Sequence, residues 1–287
     1  MGIGAGVRVA SRRAGKVHWL LIAPALGLIL AFYVAPLLKI LALSFLDPTP
    51  GLQNYRLLFT SGAIERILWT TTRICALTTG LTLVGGYAIA YALVHVRERQ
   101  RQWMLFCVLL PFWLSVLVRA FAWIMLLRRE GAVNSTLLAL GVIDSPLTLV
   151  RNEFGVIVGM VHYMLPYAIL PLYANMQGID RRLVAAARGL GAKPFGAFRR
   201  VFLPLSMPGI IGALVLVFIF SLGFYITPAI LGGGKTVMIA EYIATNILDN
   251  IRWGLATMLA STLLATVFLL LALMWRVVDL RKLLGAA

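Results

Sequence analysis

Six apolar runs, at roughly 17–46, 66–95, 103–127, 154–177, 208–231 and 255–276, punctuate this chain. Each is about 20 residues or longer, enough for a helix to cross about 30 Å of hydrocarbon. A water-soluble core has no place for six such segments, because burying one face of each leaves the rest as exposed apolar surface. With a mean hydropathy of +0.93, the chain reads as an all-α, polytopic membrane protein with six transmembrane helices. Lipid is its main solvent. A short cytoplasmic segment (1–16) is expected ahead of a single transmembrane domain (17–287).

A net charge of +16 would suit nucleic acid in a soluble protein, but the Lys and Arg residues sit in the gaps between apolar runs and form no continuous patch. Nucleic acid is therefore not an expected partner. Basic residues resist translocation, so their distribution sets the topology. One set of gaps and ends holds most of them, including Arg8, Arg12, Arg13, Arg97, Arg99, Arg101, Arg181, Arg182, Arg188, Arg199 and Arg200. The opposite loops hold Arg56, Arg66, Arg128, Arg129, Arg151, Lys235 and Arg252, and most of the Asp and Glu. Both termini are predicted cytoplasmic. The first run continues through Pro24 and Pro36 to about Leu46, too long for the core of a cleaved signal peptide, so an uncleaved first helix is expected.

Residues that would carry catalysis or hold a metal are scarce. Cys75 and Cys107 lie inside predicted spans, and His18, His95 and His162 are isolated from any chelating spacing. LGGGKT at 231–236 resembles the end of a phosphate-binding loop, but Ala229 stands where that motif needs its first glycine. No nucleotide site follows, and the glycines read as an exit turn. Transport is the stronger reading. A stand-alone secondary carrier remains open, although the intramembrane charges, Lys39, Arg73 and Arg119, are all basic and no acid sits at a span centre to bind a coupling ion.

The loop at 178–207 is too structured for a plain connector. Asp180 is placed to cap a short helix that carries Leu183, Ala187 and Leu190 on one face, and Gly189 and Gly191 end it. Pro194 suits the first turn of a second helix, with Phe195, Phe198 and Phe202 as its stripe and Arg199 and Arg200 opposite. Two short amphipathic helices meeting at glycine make either a docking element or a cover for the bundle end.

This segment resembles the signature loop of ABC-importer permeases, E-A-A-x(3)-G-x(9)-I-x-L-P. Ala186, Ala187, Gly191, Leu203 and Pro204 fall on the pattern, Val201 stands for the isoleucine, and Ala185 takes the glutamate position. PFWLSVLVRAFAWIMLLRREGAVN (111–134), GVIDSPLTL (141–149), HYMLPYAILPLY (162–173) and FYITPAILGG (224–233) are similar to spermidine/putrescine-type permeases. That resemblance implies a type I importer permease of the bacterial inner membrane, paired with a second permease subunit and two cytoplasmic ATPase subunits, and served by a periplasmic solute-binding protein. ATP would be used by the partner subunits, with no cofactor on this chain. Ala185, Ala186, Ala187, Gly191, Phe195, Leu203 and Pro204 would form the ATPase-coupling element. Polyamines are the implied solute, with iron, sulfate, phosphonate or opine-like solutes as alternatives within the family.

For the solute pathway, Trp113, Arg119, Tyr163, Tyr167, Tyr225 and Thr227 supply aromatic or polar groups near the outer halves of the third to fifth spans, and aromatic faces attract ammonium groups. Arg119 is expected to pair with a helix carbonyl or an acid. Outside contacts are expected along 128–153, where Asn134 is placed to cap a short helix, and along Ile239–Leu248.

Overall fold

The structure is a computed structural model that describes residues 22–277, and these are helical with turns and no strand. The N-terminal segment and the basic residues before Ile22 and beyond Val277 lie outside the described residues. Five helices are long and apolar enough to cross a membrane: α1 (Ile22–Leu46), α3 (Gly62–His95), α7 (Glu153–Gln177), α9 (Pro194–Leu222) and α12 (Trp253–Val277). The remaining run is broken. It forms α4 (Glu98–Trp113) and α5 (Val116–Leu127), and the chain bends by 102° between α4 and the Val116–Ala139 stretch that α5 opens. Pro111 marks the place, because its ring displaces a backbone N–H from the helix ladder two residues before α4 stops. The predicted third span is thus two segments at a steep angle.

The centre is a three-helix unit of α3, α7 and α9, packed along their lengths. Small residues bring the backbones together, as membrane helices require when apolar burial alone does not drive association. A Cβ at Gly86 of α3 would lie 3.0 Å from the Ala168 Cβ of α7, and one at Gly209 of α9 would lie 2.7 Å from the Asn175 side chain. Ala90, Met164, Ala168, Leu172, Met176, Ala213 and Val217 fill the space between them. Asn152 starts α7, its side chain accepting from the Gly155 N–H at 2.9 Å.

Against this unit, α12 pairs with α1. Ser44 is the one buried residue of the described part of α1, so lipid or another chain must cover the rest. The end of α1 is latched by the short α2 (Gln53–Thr60): Asn54 donates to the Asp47 carbonyl at 2.7 Å, and Tyr55 stacks on Phe45 at 4.8 Å. The Gly254 N–H donates to the Asp47 carboxylate at 2.5 Å, which ties the start of α12 to the same point.

Short helices fill the ends. On the far side from His95 lie α6 (Ala132–Ala139), α10 (Ile226–Gly232) and α11 (Ile239–Leu248). Asn134 does not cap α6, whose cap position is Gly131. It is buried in the third position and staples the loop, donating to the Arg128 carbonyl at 3.1 Å and the Leu147 carbonyl at 3.0 Å and accepting from the Leu147 N–H at 2.8 Å. In α11, burial pushes the Glu241 carboxyl up from its ordinary value, and a bond from the Met238 backbone offsets this in part.

Candidate functional site

The 178–207 segment forms a built element across the His95 end of the bundle. Asp180 caps α8 (Arg181–Gly189) as the pattern predicts, accepting from the Arg182 N–H at 2.9 Å. Gly191 then takes φ +89°, a left-handed conformation that favours glycine. Pro194 opens α9 at its first turn.

A π-helical turn at Phe198–Phe202 splits the predicted phenylalanine stripe. Phe202 is buried and Phe198 half-buried, while Phe195 stays 71% exposed. A π turn adds a residue per turn, so Phe195 and the two later rings fall on different faces. The inward pair packs edge-to-face on Tyr91 of α3, at 5.6 Å for Phe198 and 5.2 Å for Phe202. Tyr87 of α3 shares a hydrogen bond with Ser206 of α9 at 3.0 Å. His95 Nδ1 donates to the Tyr91 carbonyl at 2.8 Å, which holds its ring near Phe202. The Arg181 guanidinium donates to the Val94 carbonyl at the C-terminal end of α3, where a cation meets the negative end of the helix dipole.

The outward surface of the element is apolar and basic. Leu190 is 90% exposed, and Leu183 joins Phe195 as an exposed apolar side chain. Ala185, Ala186, Gly191 and Pro204 are exposed, whereas Ala187 and Leu203 are half-buried against the bundle. Ala185 borders a cavity of about 180 Å³ whose wall includes Val94, His95, Arg181, Arg188 and Phe202. A carboxylate at 185 would lie one helical turn from both Arg181 and Arg188. Ala185→Glu is therefore expected to be accepted with a stability gain of a few tenths of a kcal/mol, about the worth of such helix pairs. Thermal melting of the purified protein checks this, and a loss of stability would contradict it.

The second group lies in the middle of the bundle. The Arg119 guanidinium on α5 sits over the Tyr163 ring of α7 at 4.3 Å, and its Nε is buried without a hydrogen-bond partner. The ion pairs among the described residues, Arg73–Glu153 and Arg101–Glu98, leave Arg119 out. The expected carbonyl or acid is thus replaced by an aromatic face, because the bend after α4 swings Arg119 onto a part of α7 that carries tyrosines and no acid. Tyr163 stacks on Tyr167 at 5.9 Å and touches Phe224 at 4.4 Å. Tyr167 also meets Phe112 at 5.2 Å and Phe220 at 5.0 Å. One turn along α5, Trp123 donates to His162 at 3.3 Å.

Of the six pathway residues expected from sequence, the structure brings Arg119, Tyr163 and Tyr167 together. Trp113 is 75% exposed and meets Phe106 instead, at 6.3 Å. Tyr225 is exposed at the start of α10, and Thr227 is buried in the contact of α10 with Gly159 of α7. For Trp113 and Tyr225, the ring in the cluster is that of the preceding residue, Phe112 or Phe224. Phe220, in the last turn of α9, and Phe224, just past its end, meet Tyr167 and Tyr163 in turn.

A bundle of membrane-length helices with a structured helix pair folded across one end defines a multi-span membrane protein. The chain belongs to the family of binding-protein-dependent transport system inner membrane components, whose pattern matches residues 80–281. It is 32% identical to the spermidine/putrescine transport system permease protein PotB of Haemophilus influenzae, over 85% of this chain and 88% of that protein. It is likewise 32% identical to PotB of Escherichia coli, over 87% and 94%. The fold matches a chain of a bacterial alginate ABC transporter in complex with alginate-pentasaccharide-bound periplasmic protein, with a TM-score of 0.75 at 18% identity over 92% of this chain and 94% of that one.

Proposed function

We propose that this chain is one of two permease subunits of an ATP-driven importer for polyamines, with α8 and the start of α9 as its coupling element. The observation that carries the coupling role is the exposed apolar set Leu183, Leu190 and Phe195 on an element otherwise bound to α3 by aromatic packing. Large apolar side chains rimmed by arginines on a rigid support fit a partner's groove better than water. The partners are two cytoplasmic ATPase subunits, at the end of the bundle where α1 begins and α12 stops. A periplasmic binding protein delivers solute at the opposite end, near α6 and α11. ATP-driven closure of the ATPases moves α8 and α9 together, because the Tyr91, Phe198 and Phe202 rings join α9 to α3. The bundle then changes between inward-facing and outward-facing states, a two-state element biased from both ends.

Solute class is supported by the aromatic cluster. Tyr163, Tyr167, Phe220 and Phe224 offer π faces to an ammonium group. Tyr163 lies about 15 Å along α7 from Glu153, roughly half the depth of a bilayer core. A guanidinium at that depth is costly against lipid, so the face that holds Arg119 turns toward protein or water.

Reconstitution of the full complex tests this reading. Spermidine uptake is expected to need ATP and the solute-loaded binding protein, whereas uptake by the isolated chain under a proton gradient would replace it with a secondary carrier. For the orientation, a reporter active only in the cytoplasm is expected to work after Gly285 and to fail near Gly234. The reverse pattern would invert the sides.

A further inference from the structure

Arg119 has an unusual set of neighbours for a charge inside a membrane bundle. Its guanidinium lies 4.3 Å from the centroid of Tyr163, its Nε is buried and unpaired, and no acid among the described residues bridges to it. The ring beneath it is held from two sides, by Tyr167 at 5.9 Å and Phe224 at 4.4 Å. An aromatic face held this way is what an ammonium group seeks, and here a side chain of the protein already occupies it. Two cations cannot share one ring face: like charges this close repel strongly where water is sparse.

Arg119 also sits beside the bend in the third span. It belongs to α5, one turn beyond the break at Leu114–Ser115 where the chain bends by 102°. α5 packs on α10 and buries Ala120 and Leu127, and its polar contacts with α7 are Arg119 on Tyr163 and, one turn on, Trp123 on His162.

We propose that Arg119 is a tethered cation that fills the Tyr163 face in the absence of solute and closes the aromatic passage, and that an arriving solute ammonium takes its place. The inference rests on the importer reading above and names the specificity device of that same site. It makes the aromatic site selective by competition. A neutral solute gains too little from the ring to displace a guanidinium, whereas a cation matches it in kind. It also gives Arg119, which would otherwise repel a polyamine, a reason to stand there. The exchange balances charge, one cation leaving the face as another enters.

The test uses the complete complex in proteoliposomes without ATP, with the leak of a neutral polyol, erythritol, as the readout, because a neutral solute does not displace the guanidinium. Arg119→Gln, which removes the charge at similar length, is expected to raise the leak at least tenfold. Arg119→Lys, which keeps a cation within reach of the ring, is expected to stay near the unaltered level. Tyr163→Leu is expected to leak like Arg119→Gln, and added methylguanidinium to suppress the leak of Arg119→Ala. Retention of the ATPase subunits on each variant confirms assembly. A leak in Arg119→Gln no higher than in the unaltered complex, or equal leaks in the Gln and Lys variants, overturns the proposal. ATP-driven spermidine uptake by the unaltered complex tests the solute class separately: leak behaviour as expected without spermidine uptake upholds the tethered cation and removes polyamines as the solute.

Discussion

Replacing Leu190 and Phe195 together by aspartate is expected to strip the ATPase subunits from this permease while leaving the permease folded. Both side chains are exposed on the chain alone, at 90% and 71%, so neither supports the bundle. Burying a leucine and a phenylalanine in a partner is worth roughly 1.5–3 kcal/mol each. Losing both, and placing two carboxylates in an apolar groove, weakens docking by roughly 100-fold or more. The measurement is the ATPase retained on affinity-purified permease, beside the melting temperature of the permease alone. Normal retention would mean that α8 and the start of α9 only cover the bundle end. A control substitution, Phe202→Ala, is expected to behave oppositely. Its buried ring sits against Tyr91 and His95, so the permease itself loses stability, by about 3–5 kcal/mol for such truncations.

Gly191→Asp is expected to abolish uptake where Gly191→Ala only weakens it. At φ +89° an L-residue is strained by roughly 1–2 kcal/mol, and that strain opposes the angle between α8 and α9. A Cβ there meets nothing in this chain, so for alanine the backbone strain is the whole effect. That corresponds to a loss of about tenfold in the properly angled state. Aspartate adds a carboxylate to the surface that docks. Uptake and ATPase activity of reconstituted complexes carrying each substitution separate the two, and full uptake by Gly191→Asp would remove this turn from the coupling path.

What was legible in the sequence depended on how local its cause is. The Asp180 cap, the turn at Gly191 and the Pro194 start are each decided within a few residues, and the structure has all three. The apolar runs were legible because lipid imposes a single length requirement. The bend of the third run was not, since both halves are equally apolar and Pro111 is the only local mark. Asn134 has the residue type of a cap, and its role as a staple is set by Leu147, 13 residues away in sequence. Phe195 and Phe202 were read as one stripe because helical spacing assumes a regular helix, which the π turn interrupts. In the aromatic cluster, Arg119 and the two tyrosines stand out by residue type, whereas Phe112 and Phe224 do so less than their more polar neighbours Trp113 and Tyr225.

The break between α4 and α5 also bears on how the chain is made. At about 1.5 Å per residue, α4 measures about 24 Å and α5 about 18 Å, so neither alone crosses the hydrocarbon core. During synthesis the insertion machinery meets one continuous apolar stretch and can stably insert it only as a unit. The bent form needs α7, which supplies Tyr163 and His162 to hold α5 and Tyr167 to hold Phe112 at the end of α4, and α7 emerges from the ribosome later. A chain truncated before Glu153 is therefore expected to hold a straighter third span than the finished protein, which cysteine-accessibility mapping of residues 98–127 in the two chains would show.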